Sequence, residues 1–281
     1  MIPKEKIMPY LCPKTPIPTA MSFSGHRLAG IQCVMFDVYG TLFISESGDI
    51  GMLKRSLAES GQVSALLTEF GIARDAKAVL EAFFAEIDHT HVRMKKAGVP
   101  FPEVCIDDIW MSVLGTSDRG EARDFAARFE MIVNPVYPMP HLAEVFKKLK
   151  ENKVRMGIVS NAQFYTPLLF QWFLGGTLEH LGFDRDLLVW SYRKGMAKPD
   201  KRLFAHAASR LAVVGILPEN VLYLGNDMKN DIYPAAAQGF RTALFAGDER
   251  SLRLREDIPH LRDLVPDAVL TDLAQLFLIL P

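Results

Sequence analysis

Asp37 is the residue whose position and type most strongly indicate a reactive group in this sequence. It follows a short apolar run, Ile31–Phe36, which predicts a strand buried on both faces, as in a parallel sheet. Ligands of open α/β sheets bind beyond the carboxyl ends of the strands, and Asp37 stands at such an end. A carboxylate there is costly to bury unless other groups pair with it. We therefore expect polar residues from other strand ends to converge on Asp37, whose carboxylate would act as a nucleophile.

Two later strand ends and one helix start supply the groups that such a site needs. The predicted strands are Val154–Val159 and Val221–Leu224, and the helix starts just after Pro199. The polar residues at these places are Ser160, Asn161, Lys198, Asn226, Asp227 and Asp231. They offer a hydroxyl, amides, carboxylates and one compact positive charge. Their combination is suited to attack on a substrate group of negative character.

In chain order, the segments around these residues resemble the four signature motifs of the haloacid dehalogenase-like (HAD) hydrolase superfamily. The resemblance covers about residues 31–281. It implies an α/β fold with a doubly wound, Rossmann-like parallel sheet and an all-helical cap domain inserted after the first motif. It also implies a covalent aspartyl intermediate. The catalytic residues that it implies are Asp37 as nucleophile, then Thr41, Ser160, Asn161 and Lys198.

The same resemblance implies a Mg²⁺ ion. Its ligands would be Asp37, the backbone carbonyl of Tyr39 and an acidic residue of the third strand end, because Mg²⁺ prefers oxygen donors. The superfamily usually has Asp directly after the glycine of that segment, whereas here Asn226 comes first and Asp227 second. Which of these two contacts the metal stays open at this point. Asp231 is a further candidate ligand, or the cap of a helix that begins there.

Tyr39 is a second departure from the superfamily pattern. Its phosphatases usually have a second Asp at this position as the general acid, and a phenol with a pKa near 10 is poorly matched to that role. Tyrosine here resembles the metal-independent 2-haloacid dehalogenase branch. Against that branch, Asp227 and Asp231 are retained, and Phe204 stands where those enzymes have a tyrosine. We expect a Mg²⁺-dependent phosphate-ester hydrolase whose general acid comes from the cap or from solvent, with 2-haloacid dehalogenase as the alternative.

Substrate contacts are expected from both domains. Tyr39 and Gly40 follow the nucleophile, and Glu86 and His89 lie three residues apart on a predicted cap helix, where they would share one face. By contrast, Arg250, Arg253 and Arg255, with Glu249 and Glu256 on either side, predict a solvated surface of mixed charge. A catalytically idle binding module on the same fold is the remaining alternative.

The periodicity of apolar residues divides the chain into three parts. Residues 1–30 form a Pro-rich extension, residues 31–46 and 135–281 alternate strand and helix, and residues 47–134 show only helical spacing. These are the predicted N-terminal extension, hydrolase core and helical cap. The segment 98–102, which contains Gly98 and two prolines, predicts a break within the cap.

Composition limits the classes of partner. The chain has 281 residues, 49% of them hydrophobic, and a formal net charge of −1, which argues against binding to nucleic acid or an anionic membrane surface. No apolar run is long enough to cross a bilayer. The three cysteines form no spaced set, so a reducing cytoplasm is expected. The expected partner is a small-molecule substrate, with a homodimer possible through apolar cap helices.

Overall fold

The computed structural model describes residues 2–45 and 61–281 and is organised around a mostly parallel sheet. Seven strands are arranged in the order β1-β9-β8-β7-β2-β5-β6, and β1 alone runs antiparallel to its neighbour. A separate antiparallel pair, β3 with β4, links the core to the inserted helices. The strands are β1 (Ser24–Gly25), β2 (Cys33–Phe36), β3 (Phe43–Ile44), β4 (Tyr137–Pro138), β5 (Arg155–Ser160), β6 (Phe183–Trp190), β7 (Val221–Gly225), β8 (Arg241–Phe245) and β9 (Ala268–Leu270). The predicted parallel-sheet fold is confirmed.

The central strand β2 explains why the first motif was recognisable in the sequence. All four of its residues are buried, because β5 and β7 flank it and helices cover both faces. Cys33 pairs in register with Arg155 of β5 and with Val221 of β7, so the three strands end at the same edge. That edge is where the polar residues of the motifs emerge. The strand begins at Cys33, two residues later than the apolar run predicts.

Helices cover the sheet and form the insertion. They are α1 (Lys4–Ile7), α2 (Gly61–Glu69), α3 (Ala76–Lys96), α4 (Ile106–Leu114), α5 (Arg119–Val133), α6 (Leu142–Glu151), α7 (Thr166–Leu174), α8 (Leu178–Leu181), α9 (Ser191–Lys194), α10 (Lys201–Val213), α11 (Tyr233–Ala236) and α12 (Leu276–Ile279). No helix in the described part of the chain is long and apolar enough to span a bilayer.

The helices α2 to α5 lie between β3 and β4 and pack around an aromatic cluster. Trp110 stacks on Phe83 with ring centroids 4.3 Å apart and also contacts Phe125 and Phe129. Burying such rings gives the insertion a core of its own. The break that Gly98 predicts is present, since α3 ends at Lys96 and α4 begins at Ile106. Residues 46–60, at the start of the predicted cap, lie outside the described residues.

The Pro-rich N-terminal segment packs against the rest of the protein. Ile7 is fully buried, and the backbone carbonyl of Ile2 accepts a hydrogen bond of 3.2 Å from the Trp172 indole. Lys6 pairs with Asp124 of α5 at 2.6 Å, and β1 adds an antiparallel strand to the sheet edge. The segment therefore contacts the inserted helices and the core.

Candidate active site

Lys198 joins two carboxylates at the carboxyl edge of the sheet. Its ammonium lies 2.7 Å from Asp37 Oδ1 and 2.6 Å from Asp231 Oδ1, and all three side chains are buried. Burial alone would lower the pKa of Lys198, but the attraction of Asp231 and Asp37 outweighs it and raises the pKa. The lysine therefore stays charged. It holds one oxygen of Asp37 and leaves the other without a donor among the described residues.

Asp231 is a structural partner of this lysine and is inaccessible to solvent. It also accepts hydrogen bonds from the Tyr223 hydroxyl (3.1 Å) and from the backbone N–H of Asp227 (3.0 Å). Burial raises its pKa to about 7, although Lys198 opposes the shift. Gly225 is required beside it, because a Cβ there would come within 2.5 Å of Asp231 Cβ.

Asn161 ties the second motif to the lysine segment. Its amide oxygen accepts from the backbone N–H of Lys198 at 2.7 Å, which fixes where the lysine side chain starts. Ser160 is fully buried, and its hydroxyl donates to the carbonyl of Asn161 at 3.2 Å. Thus Asn161 reaches the site directly, whereas the Ser160 hydroxyl is used within the backbone turn.

A second group of residues shapes the turn after the nucleophile. The Thr41 hydroxyl donates to Asn226 Oδ1 at 3.0 Å, and Asn226 Nδ2 donates to the Ser251 carbonyl at 2.6 Å. Gly40 has a φ of 79°, and a Cβ on it would lie 2.6 Å from Ser251 Cβ. Glycine is therefore needed for its backbone conformation and for the close approach of Ser251 and Asn226. Ser251 belongs to this site but carried no signal in the sequence.

Asp227 points away from this group. Its oxygens accept from Arg255 Nη2 at 2.7 Å and from the backbone N–H of Lys229 at 2.8 Å, so it caps a π-helical turn, Met228–Ile232. The interpretation of Asp231 as a helix cap is therefore wrong, because the helical turn starts three residues earlier. The solvated surface predicted around residues 250–255 is also wrong for Arg255, which pairs with a nearly buried carboxylate.

These residues line a cavity of about 650 Å³ between the sheet edge and the inserted helices. Most of its lining residues carry a polar group, although polar and apolar atoms contribute nearly equally to its surface. The lining residues that the sequence predicted are Asp37, Tyr39, Gly40, Asn161, Lys198, Asn226, Asp227 and Asp231. Those that it did not predict include Glu103, Glu130, Asn134, Gln163, Tyr165, Ser251, Arg253 and Arg255. Thr41 and Ser160 lie behind the wall.

Glu86 and His89 do not line this cavity. Both belong to α3, whose buried face is formed by Val79, Leu80 and Phe83. His89 is exposed to solvent. Their spacing of three residues predicts one shared helix face. It does not indicate which face of α3 packs against the core. The expectation that they bind substrate is not supported by their position.

Two comparisons connect this geometry with known proteins. The family model for haloacid dehalogenase-like hydrolase matches residues 31–239, which contain all four strand-end motifs. The chain belongs to this hydrolase family. The Rhythmically expressed gene 2 protein of Drosophila melanogaster is 27% identical over 105 residues, and the match spans 37% of this chain and 37% of that protein.

Solved structures of HAD proteins share the fold across nearly the whole chain. A 2-haloacid dehalogenase from Pseudomonas syringae pv. Tomato DC3000 is 19% identical with a TM-score of 0.53, covering 88% of this chain and 96% of that one. A HAD phosphatase from Thermococcus onnurineus is 18% identical with a TM-score of 0.50 over the same shares. At such identities the likeness shows the fold alone.

The oxygens of this HAD site can be tested against the Mg²⁺ that the resemblance implies. Asp231 and Asp227 already accept protein donors on both oxygens. The carbonyl of Tyr39 accepts no donor among the described residues, and the Asp37 oxygen that Lys198 contacts has a second lone pair. Asn226, in the same cavity lining, presents an amide oxygen that accepts from Thr41. One carboxylate, one carbonyl and one amide oxygen suit a hard cation that keeps several waters. The residues fit, with one negative charge fewer than the usual pattern.

Proposed function

We propose that this hydrolase cleaves small phosphate monoesters through an aspartyl-phosphate on Asp37, with Mg²⁺ as cofactor. The observation that carries the proposal is the Asp37 carboxylate, fixed at one oxygen by Lys198 and open to a polar cavity of about 650 Å³ at the other. A cavity of this size accommodates a phosphoryl group and a polar leaving group. A nucleophile oriented by a buried cation is the arrangement that covalent catalysis requires.

The charges around the cavity support the need for a cation. Among the described lining residues, five bear a carboxyl group and three are cationic, so the wall offers little net positive charge to attract a phosphate dianion. Lys198 and Arg255 are already paired with carboxylates. When bound, Mg²⁺ would supply positive charge that offsets the negative charge of the phosphoryl oxygens. Asp37, the Tyr39 carbonyl and Asn226 would hold it, and the hydrogen bonds of Asp227 favour Asn226 over Asp227.

Each step can be assigned to residues of this chain. The free Asp37 oxygen attacks phosphorus, and the bond from phosphorus to the ester oxygen breaks. Lys198 remains protonated and holds the other oxygen of Asp37 in place. Asn161 fixes the lysine backbone, while Thr41 orients Asn226. A water molecule then attacks phosphorus, phosphate leaves, and the Asp37 carboxylate is restored.

The 2-haloacid dehalogenase reaction is the second candidate, because Tyr39 and Asn226 replace two carboxylates of the phosphatase pattern. A departing halide needs neither a proton nor a metal. The types of lining residue favour the phosphatase, since Ala162 is the only aliphatic side chain among the described lining residues.

The test measures phosphate release from 4-nitrophenyl phosphate with Mg²⁺ or with a chelator, and halide release from 2-chloropropionate. We expect Mg²⁺-dependent phosphate release that is abolished in Asp37→Asn, because the amide is nearly isosteric but is not a nucleophile. Asp186→Asn is the matched control, since Asp186 is exposed on β6 and should leave the rate unchanged. Halide release that is insensitive to chelator would reject the phosphatase in favour of the dehalogenase.

A further inference from the structure

The reaction proposed above has no evident proton donor for the leaving oxygen. Tyr39 occupies the position of the usual acid, but its hydroxyl bonds to the Thr166 hydroxyl at 2.9 Å. Burial raises the pKa of Tyr39 well above its ordinary value, which makes it a still weaker acid. Among the described residues of the inserted segment, Glu103 and Glu130 line the cavity with a carboxyl group.

Glu103 is held in a fixed relation to the catalytic lysine. It belongs to the loop between α3 and α4, which runs beside the residues that precede Lys198. The backbone N–H of Ala197 donates to the Phe101 carbonyl at 2.8 Å, and that of Glu103 donates to the Gly195 carbonyl at 3.3 Å. Because this loop and the lysine segment are joined by backbone hydrogen bonds, they position their side chains together.

The hydrogen bonds around Ser191 favour a protonated Glu103. The Ser191 oxygen lies 2.8 Å from Glu103 Oε2 and 3.2 Å from the Ala162 carbonyl, and it accepts from the Ala162 N–H at 2.8 Å. A hydroxyl has one proton, so it cannot donate to both acceptors. Glu103 Oε1 accepts from the Val104 N–H at 3.1 Å and from Gln163 Nε2 at 3.2 Å, so a proton on this carboxyl is on Oε2. If Oε2 donates that proton to Ser191, the Ser191 proton is available to Ala162, and every partner is satisfied. Burial also raises the pKa of Glu103 to about 7.

Glu130 is in a different hydrogen-bonding state. Its two oxygens accept from Asn134 Nδ2 at 3.0 Å and from the Tyr165 hydroxyl at 2.8 Å. Burial raises the pKa of Glu130 as well, but both of its partners act as donors and oppose that shift, so the carboxylate is satisfied without a proton of its own. It therefore suits a role in holding Tyr165 and Asn134 rather than in donating a proton. This makes Glu130 the matched control for Glu103.

We propose that Glu103 is the general acid and base of this site, a role that rests on the proposed phosphatase reaction. In the first step its carboxyl proton passes to the ester oxygen as the bond from phosphorus to that oxygen breaks, and the alcohol leaves. In the second step the Glu103 carboxylate takes a proton from the attacking water as the bond from phosphorus to Asp37 breaks. Phosphate is released and both residues return to their starting forms.

The decisive experiment compares aryl phosphates of similar size whose leaving phenols differ in pKa, using wild type, Glu103→Gln and Glu130→Gln. We compare kcat/KM, which reports formation of the aspartyl-phosphate and excludes its hydrolysis, a step common to both substrates. In Glu103→Gln we expect kcat/KM on 4-nitrophenyl phosphate to fall less than about tenfold and kcat/KM on phenyl phosphate to fall about 10²–10³-fold, because only the poorer leaving group needs the proton. Glu130→Gln should change the two rates by similar factors. Equal losses on both substrates in Glu103→Gln would overturn the assignment.

The pH profile adds a readout that a structural role would not move. On phenyl phosphate, the wild-type rate should fall as pH rises through about 7, where Glu103 loses its proton, and this limb should be absent in Glu103→Gln. Cys105 and Tyr165 also interact electrostatically with Glu103, but burial raises the pKa of both thiol and phenol, so neither accounts for that limb. Asp231, whose pKa is also raised to about 7, remains in every variant.

Two controls separate the possible failures. Glu103→Asp keeps a carboxyl and should recover part of the rate on phenyl phosphate, provided that thermal unfolding shows it to be folded. If Glu103→Gln does not fold, the test uses Glu103→Asp alone. A rate on phenyl phosphate that falls with rising pH near the same pH as in the wild type supports the proposal. A leaving-group dependence equal to that of the wild type, with no such fall, refutes it. If the wild type shows no phosphate release that depends on Asp37, the proposed function itself is refuted. This result differs from the one that refutes the role of Glu103 alone.

Discussion

Replacing Lys198 by methionine should reveal how strongly this buried lysine supports the two carboxylates. The ammonium contacts Asp37 and Asp231 at 2.7 and 2.6 Å, and its side chain is 3% exposed. Removing one partner of a buried ion pair leaves an uncompensated charge and typically costs about 3–5 kcal/mol. Methionine has nearly the same length, so packing is retained. We expect a loss of this size in the free energy of unfolding at about pH 8.

The pH dependence of that loss follows from Asp231. Its native pKa, raised to about 7, exceeds the unfolded value, so the native state binds more protons and stability falls as pH rises. In the wild type this fall ends near pH 7, where native Asp231 ionises. In Lys198→Met the ammonium no longer lowers the pKa of Asp231, so the fall continues. The difference in free energy of unfolding between wild type and Lys198→Met should therefore grow above about pH 7 by about 1.4 kcal/mol per pH unit.

The assay is urea-induced unfolding of wild type and Lys198→Met at about pH 6 and about pH 8. Lys147→Met is the matched control, because Lys147 is exposed on α6 and should change stability by less than about 0.5 kcal/mol. The double variant Lys198→Met/Asp231→Asn should recover most of the loss and remove the widening. If the stability difference between wild type and Lys198→Met is the same at both pH values, and the double variant recovers none of the loss, Asp231 is not the carboxyl group that causes the pH dependence.

Three further outcomes are expected. Asn226→Asp should bind Mg²⁺ at least roughly tenfold more tightly by calorimetric titration, because it adds a charged ligand. Without Mg²⁺ its free energy of unfolding should be lower by about 1–3 kcal/mol, since the hydrogen bond to the Ser251 carbonyl is removed. Unaltered Mg²⁺ affinity would place the metal elsewhere. Gly225→Ala should lose about 1–3 kcal/mol in urea unfolding and most of its turnover, because the new methyl displaces Asp231; full activity would show that Asp231 tolerates displacement. Ile7→Ala should lower the free energy of unfolding in urea by about 2–5 kcal/mol, because Ile7 is fully buried. An unchanged free energy of unfolding would show that the N-terminal segment does not unfold together with the rest of the protein.

The core of the site was predictable because buried parallel strands are easy to recognise. Their runs of apolar residues end abruptly at polar ones, and the carboxyl ends of parallel strands meet at one edge. For this reason the sequence predicts that Asp37, Asn161, Lys198 and Asp231 lie together. The register of β2 with β5 and β7 then brings them within contact distance.

The remaining residues of the site depend on contacts that local patterns do not encode. Arg255 is 28 positions beyond Asp227, in an arginine-rich segment with acidic residues at both ends, and only the fold shows that the two side chains pair. Glu103 lies in a loop that contains Pro100 and Pro102, where no periodicity indicates the orientation of its side chain. Its partner Ser191 is 88 residues away. The sequence did indicate that the acid must come from the cap or from solvent, but helical spacing pointed to α3 rather than to the loop that follows it.

The substitutions at Tyr39 and Asn226 have a common electrostatic consequence. Each replaces a carboxylate of the usual superfamily pattern, so the immediate surroundings of Asp37 hold two fewer negative charges, while Lys198 is retained. Lower negative charge makes the nucleophile easier to keep ionised but weakens attraction for a cation. Glu103 restores an acidic group from a loop whose backbone is bonded to the segment before Lys198. Proton delivery in this enzyme would therefore depend on how the inserted helices dock, because the same backbone hydrogen bonds hold the docked loop and place the acid.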